Sequence, residues 1–357
     1  MLQGYISAKG EKALKQYKYS GGDASYYFQY IVSPLAAALV DRLPRYLAPN
    51  VITLFAFSLL VTTYGLMVFN QGETPAWWCW FCAVVYFSYQ VLDNADGKQA
   101  RRLKCSSPLG LILDHGCDAI STVLVTANCI SLLRFNFADE IWFNCAALGF
   151  PMLMFFFGTW EEYNMGSLEL GVVNGPNEGV LAVIMLHILE AVYPGAAHTY
   201  RFIFVAGSGT LVIVTVLWNM WCVATSKPVR GKRLKTLLSL IPFLFCWSLG
   251  LFWMATSKNA VFAKHQQQCI WLMGLSFSKL VTHLQVAHVA DEDFNPWRKT
   301  FTVPLVLITA NSFFPFAQED VLLATCLGVA AISWLHLIVS VTLQMMRVLK
   351  VPLLTVA

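Results

Sequence analysis

Ten runs of mostly apolar residues follow one another along this chain, each near the ~20 residues that a bilayer's hydrocarbon core demands of a helix. They are Val51–Asn70, Ala76–Asp93, Leu109–Leu133, Ile141–Thr159, Glu178–Tyr193, Phe202–Thr225, Leu234–Thr256, Cys269–Val289, Thr300–Phe316 and Val321–Val348. The fifth and ninth are short. In lipid every backbone polar group must be paired internally, so the pattern predicts an all-α integral membrane protein with about ten transmembrane helices. Composition agrees: of 357 residues 57% are hydrophobic and 12% charged, against about 25% charged in soluble domains. The polar, basic start MLQGYISAKGEKALKQYKY has no h-region of a signal peptide.

Charge gives an orientation. With the segment up to Asn50 in the cytoplasm, nineteen of the twenty-four Lys and Arg fall on that side, including Lys98–Lys104 and Ser226–Lys235. Arg134, Arg201, Lys258 and Lys264 fall on the other, and Lys279 lies within a span. The positive-inside rule then places both ends in the cytoplasm. Ahead of the first span, residues 26–47 set Tyr27, Ile31, Leu35 and Val40 beside Asp41, Arg42 and Arg45. This reads as an amphipathic helix in the membrane interface, kinked or started by Pro34. Cys79 and Cys82 form a CxxC pair inside an apolar run, as expected of packing residues rather than a zinc or redox site. No basic patch with interleaved aromatics suggests nucleic acid.

Four acids stand out against this apolar background: Asp93 and Asp96 on one side of a basic loop, Asp114 and Asp118 on the other. Spacings of three and four put each pair on one helical face, and the short loop makes the two helices antiparallel neighbours. Carboxylates near hydrocarbon are costly unless neutralised. Pairing with the loop's Arg and Lys is one solution. The other is a pair of Mg²⁺ or Mn²⁺ ions, which prefer hard oxygen ligands and serve phosphoryl chemistry. Gly97 and Gly110 allow close approach of a phosphate, and Arg101, Arg102 and Lys104 supply cations for it.

The pattern D-G-x-x-A-R-x8-G-x-x-x-D-x-x-x-D, met by Asp96, Gly97, Ala100, Arg101, Gly110, Asp114 and Asp118, resembles the CDP-alcohol phosphotransferase signature, with Asp93 as its usual further acid. Tyr17-Lys18-Tyr19-Ser20-Gly21, Pro49-Asn50-Val51-Ile52-Thr53, Asp114-His115-Gly116-Cys117-Asp118 and Thr159-Trp160-Glu161-Glu162-Tyr163 are similar to the eukaryotic choline/ethanolamine phosphotransferase branch. One position departs: Leu111 stands where that branch commonly has Glu.

The resemblance implies transfer of phosphocholine or phosphoethanolamine from the CDP-alcohol to diacylglycerol, giving phosphatidylcholine or phosphatidylethanolamine and CMP. It implies metals on Asp93, Asp96, Asp114 and Asp118, and nucleotide or phosphate contacts from Asn50, Tyr89, Gly97, Arg101 and Lys104. A homodimer in the endoplasmic reticulum or Golgi membrane follows from the same likeness, with the site facing the cytosol. So does a division into a cytoplasmic N-terminal stretch (1–50), a six-span catalytic core (51–225) and four additional spans (226–357).

The general base is expected to be His115, whose ordinary pKa suits neutral-pH proton transfer, with Asp118 as the alternative. A purely packing role for His115 also stays open. His283 and His288 either line the substrate chamber or are hydrogen-bonded helix-end residues. Glu161, Glu162 and Glu178 are candidates for a cationic head group, and His187 with Glu190 for a local pair. Two rivals remain: another CDP-alcohol phosphotransferase such as a phosphatidylinositol synthase, and a cation transporter, which would hold its acids at the midplane on broken helices.

Overall fold

The computed structural model describes residues 4–227 and 233–356. Arg230 and Lys232 of the basic stretch Ser226–Lys235 lie outside the described residues.

The chain is mostly helical. A short α1 (Ala8–Leu14) and a three-residue β1 (Gly21–Asp23) precede a π-helical turn (Phe28–Val32) and α2 (Ser33–Arg42). Then come α3 (Pro49–Phe69), α4 (Ala76–Leu103), α5 (Pro108–Leu133), α6 (Ile141–Met165), β2 (Leu168–Leu170) and α7 (Val180–Val192). After a short α8 (Ala196–Thr199) follow α9 (Arg201–Thr225), α10 (Arg233–Leu238), α11 (Ile241–Thr256) and a short α12 (Val261–Lys264). The chain closes with α13 (Gln266–Val289), α14 (Lys299–Phe313) and α15 (Glu319–Leu349).

Every predicted apolar run carries helix, but the boundaries differ. α4 continues ten residues beyond Asp93, so its acids lie mid-helix rather than at an end. The seventh run is interrupted between Leu238 and Ile241, where Pro242 starts the next helix. Among the described residues seven segments are long and apolar enough to cross a membrane: α3, α5, α6, Gly175–Val192, α9, Arg233–Thr256 and α15. The other three differ for plain reasons. α4 carries charge in its second half, α14 has only 15 residues, and α13 is rich in polar side chains. The helix predicted over 26–47 runs over 26–42, with a π-helical turn at Phe28–Val32 leading into α2, and ends before Pro44. Its Ala36 and Val40 pack on Ala95 of α4.

Helix α13 lies at the centre. Every residue from Leu272 to Val289 is buried, and the helix packs on α5, α6 and α15. Close approach to α5 depends on Gly274, where an added Cβ would sit 2.6 Å from Val123 Cγ1. The stretch beyond 225 is therefore packed directly against the helices that carry the acids. β1 and β2 form a parallel two-stranded ladder, Gly21 opposite Leu168 and Asp23 opposite Leu170. Gly166, at φ +81°, ends α6 in the left-handed conformation and turns the chain into β2.

The N-terminal segment is docked rather than trailing. Gln344 of α15 both accepts from the Ile6 N–H (3.2 Å) and donates to the Ile6 carbonyl (2.8 Å). Ile6 and Leu14 join Leu109, Ile112, Val286, Leu337 and Met345 in a second apolar core.

Candidate active site

Local chemistry sets the geometry of the acids. Lys104, in the left-handed conformation at φ 55°, ends α4. Ser107 then caps α5 by accepting from the Gly110 N–H (3.2 Å), and Pro108 opens the helix. α3 packs against both helices. Asp93, Asp114 and Asp118 converge: each offers a carboxylate oxygen within 4.8 Å of the others, and all three are half-buried.

Asp96 stands apart from this trio. It is buried and accepts a hydrogen bond from Thr53 Oγ1 of α3. Tyr89 donates to Asp118 Oδ1, so the hydroxyl expected to meet nucleotide is directed at a carboxylate. Asp114 Oδ1 is buried without a hydrogen-bond partner. Among the described residues no Lys, Arg or His forms an ion pair with any of the four. Clustered hard oxygens, an orphaned buried carboxylate oxygen and the lack of a protein cation fit a divalent metal.

The other expected residues divide. Arg101 is exposed one turn beyond Gly97, and an added Cβ on Gly97 would lie 3.4 Å from Arg101 Nη1. Lys104 is exposed at the same rim. Asn50 lies against Gly110, but its Nδ2 donates to the Leu353 carbonyl of the C-terminal tail (2.8 Å). Arg102 is not aimed at the acids: it donates to the carbonyls of Val40 and Leu43 (3.0 Å to the latter) and so caps the C-terminus of α2. Glu178 accepts from Ser25 Oγ and from the Asn174 N–H (2.9 Å), which fixes a loop. His187 and Glu190 do not pair. His187 Nδ1 meets the Val183 carbonyl (2.8 Å), and Glu190 accepts from the Gly195 and Ala197 N–H groups.

His115 is half-buried on α5, near His288 of α13. His288 Nε2 is 3.1 Å from Tyr17 Oη and 3.7 Å from Glu162 Oε1. Glu162 retains only 2% of its surface. Tyr19 reaches over the same region. Although 48% of it is exposed, burial of its hydroxyl, with Glu162 and Asp114 adding negative charge, pushes its pKa up to about 12.

Sequence reasoning named His115, His288 and Glu162 separately but not the group they form with Tyr17 and Tyr19. The signal available was the Tyr17–Gly21 motif. Leu111 packs against the second apolar core, beside α1.

Comparison with known proteins agrees with this geometry. The family profile described as CDP-alcohol phosphatidyltransferase matches residues 46–168, the stretch holding all four acids. Choline/ethanolaminephosphotransferase 1 of Arabidopsis thaliana is 31% identical, with 95% of each chain covered. Choline/ethanolaminephosphotransferase 2 of the same plant is 32% identical over 81% of this chain and 80% of its own. Cholinephosphotransferase 1 of Xenopus laevis is 29% identical over 100% of this chain and 92% of its own. The protein is an enzyme of the CDP-alcohol phosphatidyltransferase family.

Proposed function

We propose that this protein transfers phosphocholine, phosphoethanolamine or both from the CDP-alcohol to the free hydroxyl of diacylglycerol, releasing CMP. The observation that carries this reading is the convergence of Asp93, Asp114 and Asp118 in a chain that aligns with choline/ethanolaminephosphotransferases over nearly its whole length.

Asp93, Asp114 and Asp118, with Asp96 beside them, would hold two Mg²⁺ or Mn²⁺ ions. Bound there, the ions would neutralise the pyrophosphate and help activate the attacking oxygen. Thr53 and Tyr89 hold Asp96 and Asp118 in place by hydrogen bonds. Gly97 and Gly110 leave room for the nucleotide, and Arg101 and Lys104 meet the charge that grows on CMP as it leaves. Asn50 reaches the nucleotide when its bond to the Leu353 carbonyl opens. His115 accepts the diacylglycerol hydroxyl proton as that oxygen attacks the β-phosphorus. The new P–O bond forms as the anhydride P–O bond breaks, and the electron pair departs on CMP. Glu162 supplies a buried carboxylate for the cationic head group.

With the basic loops in the cytosol, the acids lie toward the cytosolic side of an endoplasmic reticulum or Golgi membrane. The test is purified protein in detergent with diacylglycerol, given CDP-choline and CDP-ethanolamine side by side. The expected result is Mg²⁺- or Mn²⁺-dependent release of CMP together with the matching phospholipid. A phosphatidylinositol synthase would use neither CDP-alcohol, and a transporter would release no CMP.

A further inference from the structure

A second charged group, of opposite sign, lies farther along α13. Lys279 and His283 each retain 6% of their surface. The Lys279 ammonium donates to Thr300 Oγ1 at the start of α14 (2.7 Å). His283 lies against the Tyr5 ring, centroids 5.6 Å apart, and neither of its nitrogens is hydrogen-bonded among the described residues. Arg298, in the turn between α13 and α14, has a buried Nε without a hydrogen-bond partner. Arg298 lies near both Lys279 and His283, and Lys279 lies near His283. The Tyr5 phenol also lies near Arg298. That phenol is engaged by His336 Nδ1 (2.8 Å).

Among the described residues no carboxylate pairs with Lys279 or Arg298. Buried cations without a counter-charge are costly, so a charge deficit of this kind calls for an anion. Arginine's fork with a lysine ammonium matches a phosphate better than a single chloride. The position selects the source. Thr300 begins the ninth apolar run, which the positive-inside reading starts at the cytosolic side of the bilayer. Trp297 (54% exposed) and Leu335 (56% exposed) flank the group and present apolar surface outward.

We propose that Lys279, His283 and Arg298 bind the phosphate of an anionic phospholipid, at a site separate from the carboxylate cluster. The site is independent of the transferase reading, and its test does not use turnover.

The full chain, purified and delipidated in detergent, is unfolded thermally with dioleoyl phosphatidate, dioleoyl phosphatidylcholine or inorganic phosphate. Phosphatidate is expected to raise the midpoint by several degrees, well beyond phosphatidylcholine. At least half of that shift should be lost in Arg298→Gln and in Lys279→Met, and kept in the exposed control Lys235→Gln. Arg298 lies in a turn, so its variant remains informative if Lys279→Met fails to fold. Equal shifts in wild type and Arg298→Gln would overturn the proposal. A full shift from inorganic phosphate alone would overturn the lipid as occupant.

Discussion

Replacing Asp114 by Asn should make the metal-free protein more stable and remove most of the stabilisation that metal brings. Two ionised carboxylates 4.8 Å apart repel by about 3.5 kcal/mol at an effective dielectric constant near 20, and 4.8 Å is the upper limit of separation in the Asp93, Asp114 and Asp118 trio. Asp114 takes part in two such pairs. The full repulsion is not realised, because taking up one proton at pH 7 costs an ordinary carboxyl only about 4 kcal/mol and caps the strain. Asp114→Asn should therefore relieve roughly 2–4 kcal/mol in EDTA. In Mn²⁺ at about 100 times its Kd, wild type gains about 2.7 kcal/mol that the variant largely forgoes. The assay is thermal unfolding in detergent with EDTA and with a Mn²⁺ series, read by intrinsic fluorescence. The expected pattern is the variant above wild type in EDTA, with only wild type rising with Mn²⁺ so that the gap narrows by about 2.7 kcal/mol. A variant less stable than wild type in EDTA, or one that gains as much from Mn²⁺, would refute both the repulsion argument and the metal assignment.

His115→Ala should lower CMP release by about 10²–10⁴-fold while CDP-alcohol binding remains measurable by calorimetry; turnover near wild type would exclude His115 as the base. Gly274→Ala places a methyl 2.6 Å from Val123 Cγ1 and should cost about 1–3 kcal/mol, with Val123→Ala restoring part of it in the double variant; an unchanged melting temperature would contradict the close α5–α13 contact. Glu140, just ahead of α6, accepts from Arg201 (3.2 and 2.6 Å) and from the Asn136 N–H (2.9 Å), which hold its carboxyl below the usual 4.5. A depressed carboxyl contributes stability above the unfolded value and loses it as pH falls through the folded one. Wild-type melting should thus decline below pH 4.5 more steeply than that of Glu140→Gln, and parallel profiles would show that the ion pair contributes nothing.

Much of this was legible in the sequence because it is local. Helix periodicity put Asp114 and Asp118 on one face of α5, and the short loop after α4 kept Asp93 within reach of them. Apolar runs located the helices, since their burial in lipid or protein needs no knowledge of partners. What could not be read was long-range. Asp96 leaves the trio because Thr53, from another helix, takes its oxygen. Arg102 looked like a phosphate ligand, but the open end of α2 lies within its reach. Ser276, Ser278, Lys279, Thr282, His283, Gln285 and His288 gave α13 a polar aspect, yet it is the helix most enclosed by its neighbours. Its polar atoms face α5, α6, α15 and the N-terminal segment rather than water, and no period in the sequence reports that.

The clasp between Ile6 and Gln344 has a consequence for biosynthesis. The ribosome makes the segment bearing Ile6 at the outset, but its seat on α15 exists only when synthesis is almost finished. A nascent chain halted before α15 would carry all four aspartates already made, with Ile6 still undocked, so the N-terminal segment is seated on α15 as the last act of assembly.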